Sequence, residues 1–235
     1  MKEVRILREH HEETHYSEEH WELLKTKREQ AKELLVMFVN EGLKPFLYGS
    51  IARGDVHKDS DIDLFFIDMI PAYKIDLILE NHGYSKYFRE ILMATPKDTL
   101  KLYIYLSELE SITLPLSKFD KKSVEFYNFG GKVDFDQIQK NIRVPGVDKR
   151  LVFIDPTEYG HEEYSILGNE HLVAKKINVS LNLVNERKKV LLKREKLGRT
   201  GVFFKRELSI DESIEEVLKH LANKKSIIRE KLYQK

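Results

Sequence analysis

Two carboxylates two residues apart, ten residues after a Gly-Ser pair, are the part of this chain best suited to chemistry. The stretches are Gly49-Ser50-Ile51-Ala52-Arg53-Gly54 and Ser60-Asp61-Ile62-Asp63-Leu64. The apolar run Phe46-Leu47-Tyr48 stops at Gly49, the pattern of a buried strand ending in a tight turn. Glycine there permits positive φ and close approach of a ligand. Ser50 stands where a short helix can begin, and the free N–H groups of a first helical turn favour an anion. Arg53, one turn on, adds a planar cationic fork suited to phosphate oxygens. Asp61 and Asp63 open the apolar run Leu64–Ile67. On a strand, residues i and i+2 share a face, so the two carboxylates repel unless a cation lies between them. Carboxylate oxygens suit a hard ion, Mg2+ or Mn2+. A phosphate cradle beside such a metal site is what in-line displacement at a nucleoside triphosphate requires.

The spacing of Gly49-Ser50, Arg53 and Asp61-Ile62-Asp63 resembles the signature of the polymerase-beta-type nucleotidyltransferase superfamily, and within it the archaeal and minimal nucleotidyltransferase branch. The match covers about twenty of 235 residues. The resemblance implies an α+β nucleotidyltransferase fold, a mixed sheet flanked by helices. It further implies Asp61 and Asp63 as catalytic metal ligands, with Gly49, Ser50 and Arg53 binding the nucleotide. It also implies a third carboxylate on a neighbouring strand, acting as the base for the acceptor hydroxyl. Glu110, Asp134, Asp136 and Asp155 are the candidates, Glu110 being favoured because it borders the right strand region.

Length and composition set the frame. At 41% hydrophobic residues, with 12 Phe and 11 Tyr, the chain can bury a sizeable core. No run approaches a membrane span, and Met1-Lys2-Glu3-Val4-Arg5 lacks the apolar segment of a signal peptide. Zero cysteine excludes a disulfide framework and a thiolate metal site. These features lead to the expectation of a cytoplasmic protein. The net charge of +1 conceals an asymmetry: residues 1–149 carry −4 and residues 150–235 carry +5. Two parts with different partners are expected.

Around the motif, hydrophobic periodicity predicts a long helix from Tyr16 to Glu41, with Ser17 as N-cap and Gly42 beyond its end. Just before it, His11-Glu12-Glu13-Thr14-His15 fits the H-E-x-x-H zinc pattern. Its polar flanks offer no buried face, so it is read as a solvated arm. Pro71 to Leu79 predicts a helix ending near Gly83. The run Tyr87 to Met93 suits helix or strand equally. Leu100–Leu106 alternates with period two and Ser111–Leu116 is β-like, which makes Glu108–Glu110 a hairpin turn. Gly130-Gly131 reads as a turn, and Leu151–Ile154 as a last buried strand stopped by Asp155-Pro156.

The basic part predicts a helix over Glu170–Ile177 burying Leu172, Val173 and Ile177, a turn at Asn178-Val179-Ser180, and a second helix over Leu181–Glu195. This is similar to a helix-turn-helix, with Asn178 and Arg187 departing from its usual residues. Nine basic residues lie between Arg187 and Arg206, and Lys196–Gly201 followed by Val202-Phe203-Phe204 reads as a wing. A recognition helix carrying Lys188, Lys189, Lys193 and Arg194 would bind RNA or DNA through phosphates. One or two amphipathic helices, with Asp211 in the opening turn, close the chain.

The expectation is therefore a nucleotidyltransferase domain over residues 1–156 and a basic, winged-helix-like domain over 157–235. Its reaction is transfer of a nucleoside monophosphate from an NTP to an acceptor hydroxyl. Two alternatives stand beside it: a nucleic-acid-binding regulator with reduced chemistry, and a minimal-type transferase acting on a protein or small molecule.

Overall fold

The computed structural model describes residues 5–84, 88–198, 200–209 and 212–233. The first half runs β1 (His11–His15), α1 (Glu18–Asn40), β2 (Pro45–Tyr48), α2 (Ser50–Arg53), β3 (Ile62–Phe66), α3 (Ala72–Asn81), β4 (Phe88–Met93), β5 (Lys101–Tyr105) and β6 (Glu110–Pro115). There follow α4 (Lys121–Gly130), β7 (Lys132–Val133), α5 (Phe135–Gln139), β8 (Gly146–Val147), β9 (Val152–Thr157) and β10 (Gly160–Ser165). The last elements are α6 (Glu170–Lys176), α7 (Leu181–Leu197), β11 (Phe204–Leu208), α8 (Ile214–Lys224) and α9 (Ser226–Tyr233). Among the described residues the strands form two sheets, ordered β11-β4-β5-β6-β3-β2-β7 and β1-β10-β9-β8. The larger is mixed: β3 and β6 run parallel and its other neighbours antiparallel.

The elements that carry the motif form for local reasons. Ser17 caps α1 by accepting from the His20 N–H at 3.3 Å, and Gly42, at φ 73°, turns the chain away past its end. Leu24, Ala31, Leu34, Leu35 and Phe38 recur at helical spacing on the buried side of α1. With Ile75, Ile78 and Leu79 of α3 they join one core with Leu64, Phe66, Leu102, Ile104, Ile112 and Leu114 of the larger sheet. Each of the Leu, Ile and Phe side chains contributes about 1.5–3 kcal/mol on burial. Strand alternation then sends Asp63, Phe65, Ser111, Thr113, Lys101, Tyr103 and Tyr105 to the opposite face.

The β5–β6 hairpin forms where alternation predicts it, the Leu106 N–H donating to the Glu110 carbonyl. The ambiguous run becomes β4; Tyr87 lies outside the described residues, as does Asp211. The strand after Leu151 runs on through Pro156, which pairs with His161. Proline is tolerated there because β8 accompanies β9 only as far as Ile154. The His11–His15 stretch is no free arm: its backbone pairs with β10 while its side chains stay mostly exposed. On a strand His11 and His15 stand about 13 Å apart, too far to share one zinc.

The basic part departs further from expectation. α6 and α7 are joined through Asn178, at φ 52°, and Ser180 caps α7. Val173, Ala174, Leu183, Val184 and Leu191 pack against Leu151, Phe153 and Ile166, whereas Leu172 is 51% exposed. Of the segment read as a wing, Lys196 and Leu197 end α7 and Phe204 opens the edge strand β11, antiparallel to β4. Ile214 and Leu221 of α8 and Ile228 of α9 then complete the core of the larger sheet. The boundary expected at 156–157 falls inside β9, and neither hydrophobic cluster divides there. The physical reason is the unpaired edge of β4, which the returning chain covers.

The smaller sheet buries a polar chain. The Tyr16 hydroxyl and His161 Nδ1 share a 2.7 Å hydrogen bond, and His161 Nε2 lies 3.3 Å from Glu163. Glu163 also meets His10 Nε2 at 2.5 Å and accepts from Arg150 at 2.9 Å. Burial alone would raise the Glu163 pKa, but the bonds from His161 and His10 and the Arg150 charge outweigh it and hold it at about 2. A depressed carboxylate contributes stability that is full above its ordinary range and is lost as pH falls through its folded value. Glu163→Gln is therefore expected to flatten the fall in urea midpoint between about pH 4.5 and pH 2; an unchanged slope would show that the network is not coupled to folding.

Candidate active site

Tyr48 at the end of β2 pairs with Asp63 on β3, so the Gly49-Ser50 turn and Asp61 leave the ladder at the same end of the sheet. Gly49 has φ 90° and ψ −145°, backbone that only glycine adopts readily, and its N–H donates to the Gly131 carbonyl at 2.9 Å. Ser50 opens α2, and its hydroxyl donates to Ser60 Oγ at 3.1 Å. Ser60 Oγ accepts from the His57 N–H at 2.9 Å, and the Ser60 carbonyl accepts from the buried Lys27 ammonium at 2.8 Å. Through these bonds α1 fixes the residue that precedes Asp61.

Asp61 is exposed and Asp63 half-buried. Burial pushes the Asp63 carboxyl up, the Ser111 bond opposes this, the Asp61 charge adds to it and Lys149 opposes it. The Ser111 hydroxyl donates to Asp63 Oδ1 at 2.6 Å from the register position directly beside it. Among the described residues, neither aspartate has an ion pair. Two carboxylates sharing one end of a strand, oxygen donors only and not neutralised by a nearby salt bridge, fit a hard divalent cation.

Arg53 stands elsewhere. It is 5% exposed, with Nε and Nη2 on the Asp55 carboxylate at 2.9 and 2.8 Å and Nη1 on the Gly130 carbonyl at 2.5 Å. Burial works against its charge and Asp55 outweighs it. The expectation that Arg53 contacts phosphate gives way to a bracing role, because all three bonds point into the protein. No proposed third carboxylate reaches Asp63 either. Glu110 pairs with Ile62 and so shares the face opposite Asp63. Asp134 caps α5 in a capping box, Asp136 lies in that helix's first turn, and Asp155 holds Lys176 at 2.7 Å.

Of the basic residues on α7, Lys188 is tied to Glu170 at 2.5 Å, while Lys189, Lys193 and Arg194 are exposed. A second group able to hold a metal, His10, Glu12 and Glu163, lies on the smaller sheet with its ligand atoms within 4.8 Å of one another. Arg150 already occupies Glu163, which sets this group apart from the Asp61/Asp63 pair. Sequence reading passed over Ser111, Lys27 and Lys149. Ser111 opens a legible strand, but its place beside Asp63 follows from parallel pairing across 48 residues, which no local pattern marks.

The family model described as nucleotidyltransferase domain matches residues 24–127, a span from α1 through most of α4 that includes Gly49, Ser50, Asp61, Asp63 and Ser111. The chain thus carries a nucleotidyltransferase domain, in a mixed sheet flanked by helices. No curated protein and no solved structure matches it. Among the described residues no helix is long and apolar enough to cross a membrane.

Proposed function

We propose that this chain transfers a nucleoside monophosphate from an NTP to an acceptor hydroxyl. The observation that carries the reading is the departure of Gly49-Ser50 and Asp61–Asp63 from the sheet at one end, beside each other. Asp61 and Asp63 hold Mg2+ or Mn2+, which supplies charge neutralisation for the phosphates when bound. With the Gly49 N–H held by the Gly131 carbonyl, the Ser50 N–H that opens α2 receives a phosphate oxygen. Ser111 orients Asp63 through its 2.6 Å bond. The acceptor oxygen bonds to the α-phosphorus as the bond to pyrophosphate breaks, and the acceptor's proton passes to solvent. Incubation with each α-labelled NTP, Mg2+ and total cellular RNA tests the reading: label moved onto any acceptor supports it, and intact NTP throughout contradicts it.

A second reading draws on Ser111. With a hydroxyl beside Asp63, and Glu110 on the other face, the site has no third carboxylate among the candidates. That favours a nucleic-acid-binding regulator with reduced chemistry.

The acceptor is proposed to be nucleic acid, bound through α7. Charge reversal at Lys189, Lys193 and Arg194 is then expected to weaken RNA or DNA binding and to flatten its salt dependence, each lost phosphate contact removing about 0.7–0.9 from the slope of log K against log[salt]. Lys188→Glu changes folding stability as well, because it breaks the bridge to Glu170. Equal affinity and slope in wild type and the triple variant would direct the search to protein or small-molecule acceptors.

A further inference from the structure

On the face of the larger sheet that carries Asp63, two cations sit over one aromatic ring. Lys101 Nζ lies 5.5 Å from the Phe126 ring centre, and Arg187 Cζ lies 4.8 Å from the same centre. Phe119 and Tyr127 also flank Lys101, at 5.3 and 5.1 Å, and its ammonium is 3.3 Å from the Tyr127 hydroxyl. The Tyr127 ring in turn stacks at 3.6 Å on Phe65, two residues from Asp63. Among the described residues neither cation has a carboxylate ion pair, and Arg187 Nε is buried without a hydrogen-bond partner. Burial draws the Lys101 pKa down to about 8, with Asp98 opposing and Arg187 adding.

Two half-buried like charges beside one ring cost free energy unless an anion joins them; Asp98, whose charge acts on both, and the shared ring offset part of that cost. Arg187 lies on the same stripe of α7 as the buried Val184 and Leu191, directed into the protein, away from the exposed Lys189 and Lys193. Lys101 is four residues along β5 from Tyr105, which pairs with Ser111, so it lies about 14 Å along the strand from the Asp63 row. The cations are thus separate from the Gly49-Ser50 turn, at the far end of the face that carries Asp63.

The geometry points to an anion subsite in which Lys101 and Arg187 together bind a phosphate group of the substrate. It rests on the reading of the Asp61/Asp63 site as a nucleotidyltransferase site and adds cations that the motif, with Arg53 locked on Asp55, does not provide. About 14 Å along the strand from Asp63, the pair lies beyond the reach of a triphosphate seated at Gly49-Ser50, so the phosphate is a phosphodiester of a nucleic-acid acceptor. The guanidinium offers paired donors to two oxygens, and the ammonium a compact charge to a third.

The test measures binding without Mg2+, using wild type, Lys101→Gln and Arg187→Gln with three probes: inorganic tripolyphosphate, ATP and a short single-stranded oligoribonucleotide. Each substitution is expected to weaken oligoribonucleotide binding about tenfold or more and to leave the melting temperature level or higher. Loss for the oligoribonucleotide with ATP affinity unchanged assigns the phosphodiester; loss for ATP with the oligoribonucleotide unchanged contradicts it. Unchanged affinity for all three in folded variants overturns the subsite. In wild type, tripolyphosphate or the oligoribonucleotide should also shield Lys101 from acetylation, read by mass spectrometry; full acetylation with both present overturns it too, whether or not a variant folds. Since neither readout needs turnover, an inert enzyme with these binding losses would retain the subsite and remove the catalytic reading. Asp63-dependent turnover with no such losses would do the reverse.

Discussion

Asp63→Asn is expected to lower NTP turnover by about a thousandfold or more, a loss of about 4 kcal/mol of transition-state stabilisation, while the protein stays folded. The effect is large because Asp63 is the aspartate at the end of β3 whose orientation the protein fixes, through Ser111 at 2.6 Å. Asparagine keeps the shape and the hydrogen bond but removes the charge that a divalent cation needs. The same substitution takes away one of two repelling carboxylates, so without metal its melting temperature should equal or exceed that of wild type. Mg2+ with a nucleotide should stabilise wild type and not the variant, since a ligand raises stability only as far as it binds the native state. Initial rates and melting curves measured side by side check both halves. A variant with wild-type turnover would place the chemistry elsewhere.

Arg53→Ala is expected to cost about 3–5 kcal/mol of folding stability, the penalty for leaving a buried charge without its partner. Asp55 would lose both bonds from the guanidinium, and the Gly130 carbonyl would lose its donor. These contacts join α2 to the end of α4, so the Gly49-Ser50 turn should loosen as well. Chemical denaturation measures the loss. Arg53→Lys should recover part of the stability through charge alone, without the paired geometry. A change under about 1 kcal/mol in the alanine variant, accompanied by weaker nucleotide binding, would restore the phosphate role that the position suggests in sequence.

The contrast at Arg53 shows what could be read from sequence and what could not. The turn at Gly49, the paired aspartates and the alternation of β5 depend on residues within a few positions of one another, and they form as their local chemistry dictates. Asp55, only two residues from Arg53, was equally visible, but Gly130 lies 77 residues away. Nothing near Arg53 says that its guanidinium points inward. Ser111 and Glu110 differ by one residue, yet parallel register puts one beside Asp63 and the other on the opposite face. Phe204–Leu208, which the wing reading touched only at Phe204, shows no alternation in sequence; what makes it a strand is the open side of β4, more than 100 residues earlier. Arg187 broke the helix-turn-helix pattern in sequence, and the fold supplies a reason: its guanidinium lies over Phe126.

The central claim is that Asp61 and Asp63 hold a divalent cation next to the Gly49-Ser50 turn. Paramagnetic broadening by Mn2+, recorded on amide resonances in the presence of a non-hydrolysable NTP analogue, tests it most directly. The account predicts that Gly49, Ser50, Ile62 and Ser111 broaden first, that the Asp61→Asn/Asp63→Asn protein shows no such pattern, and that Glu163 stays sharp. Broadening centred on His10, Glu12 and Glu163, with Ser50 and Ser111 unaffected, would contradict it.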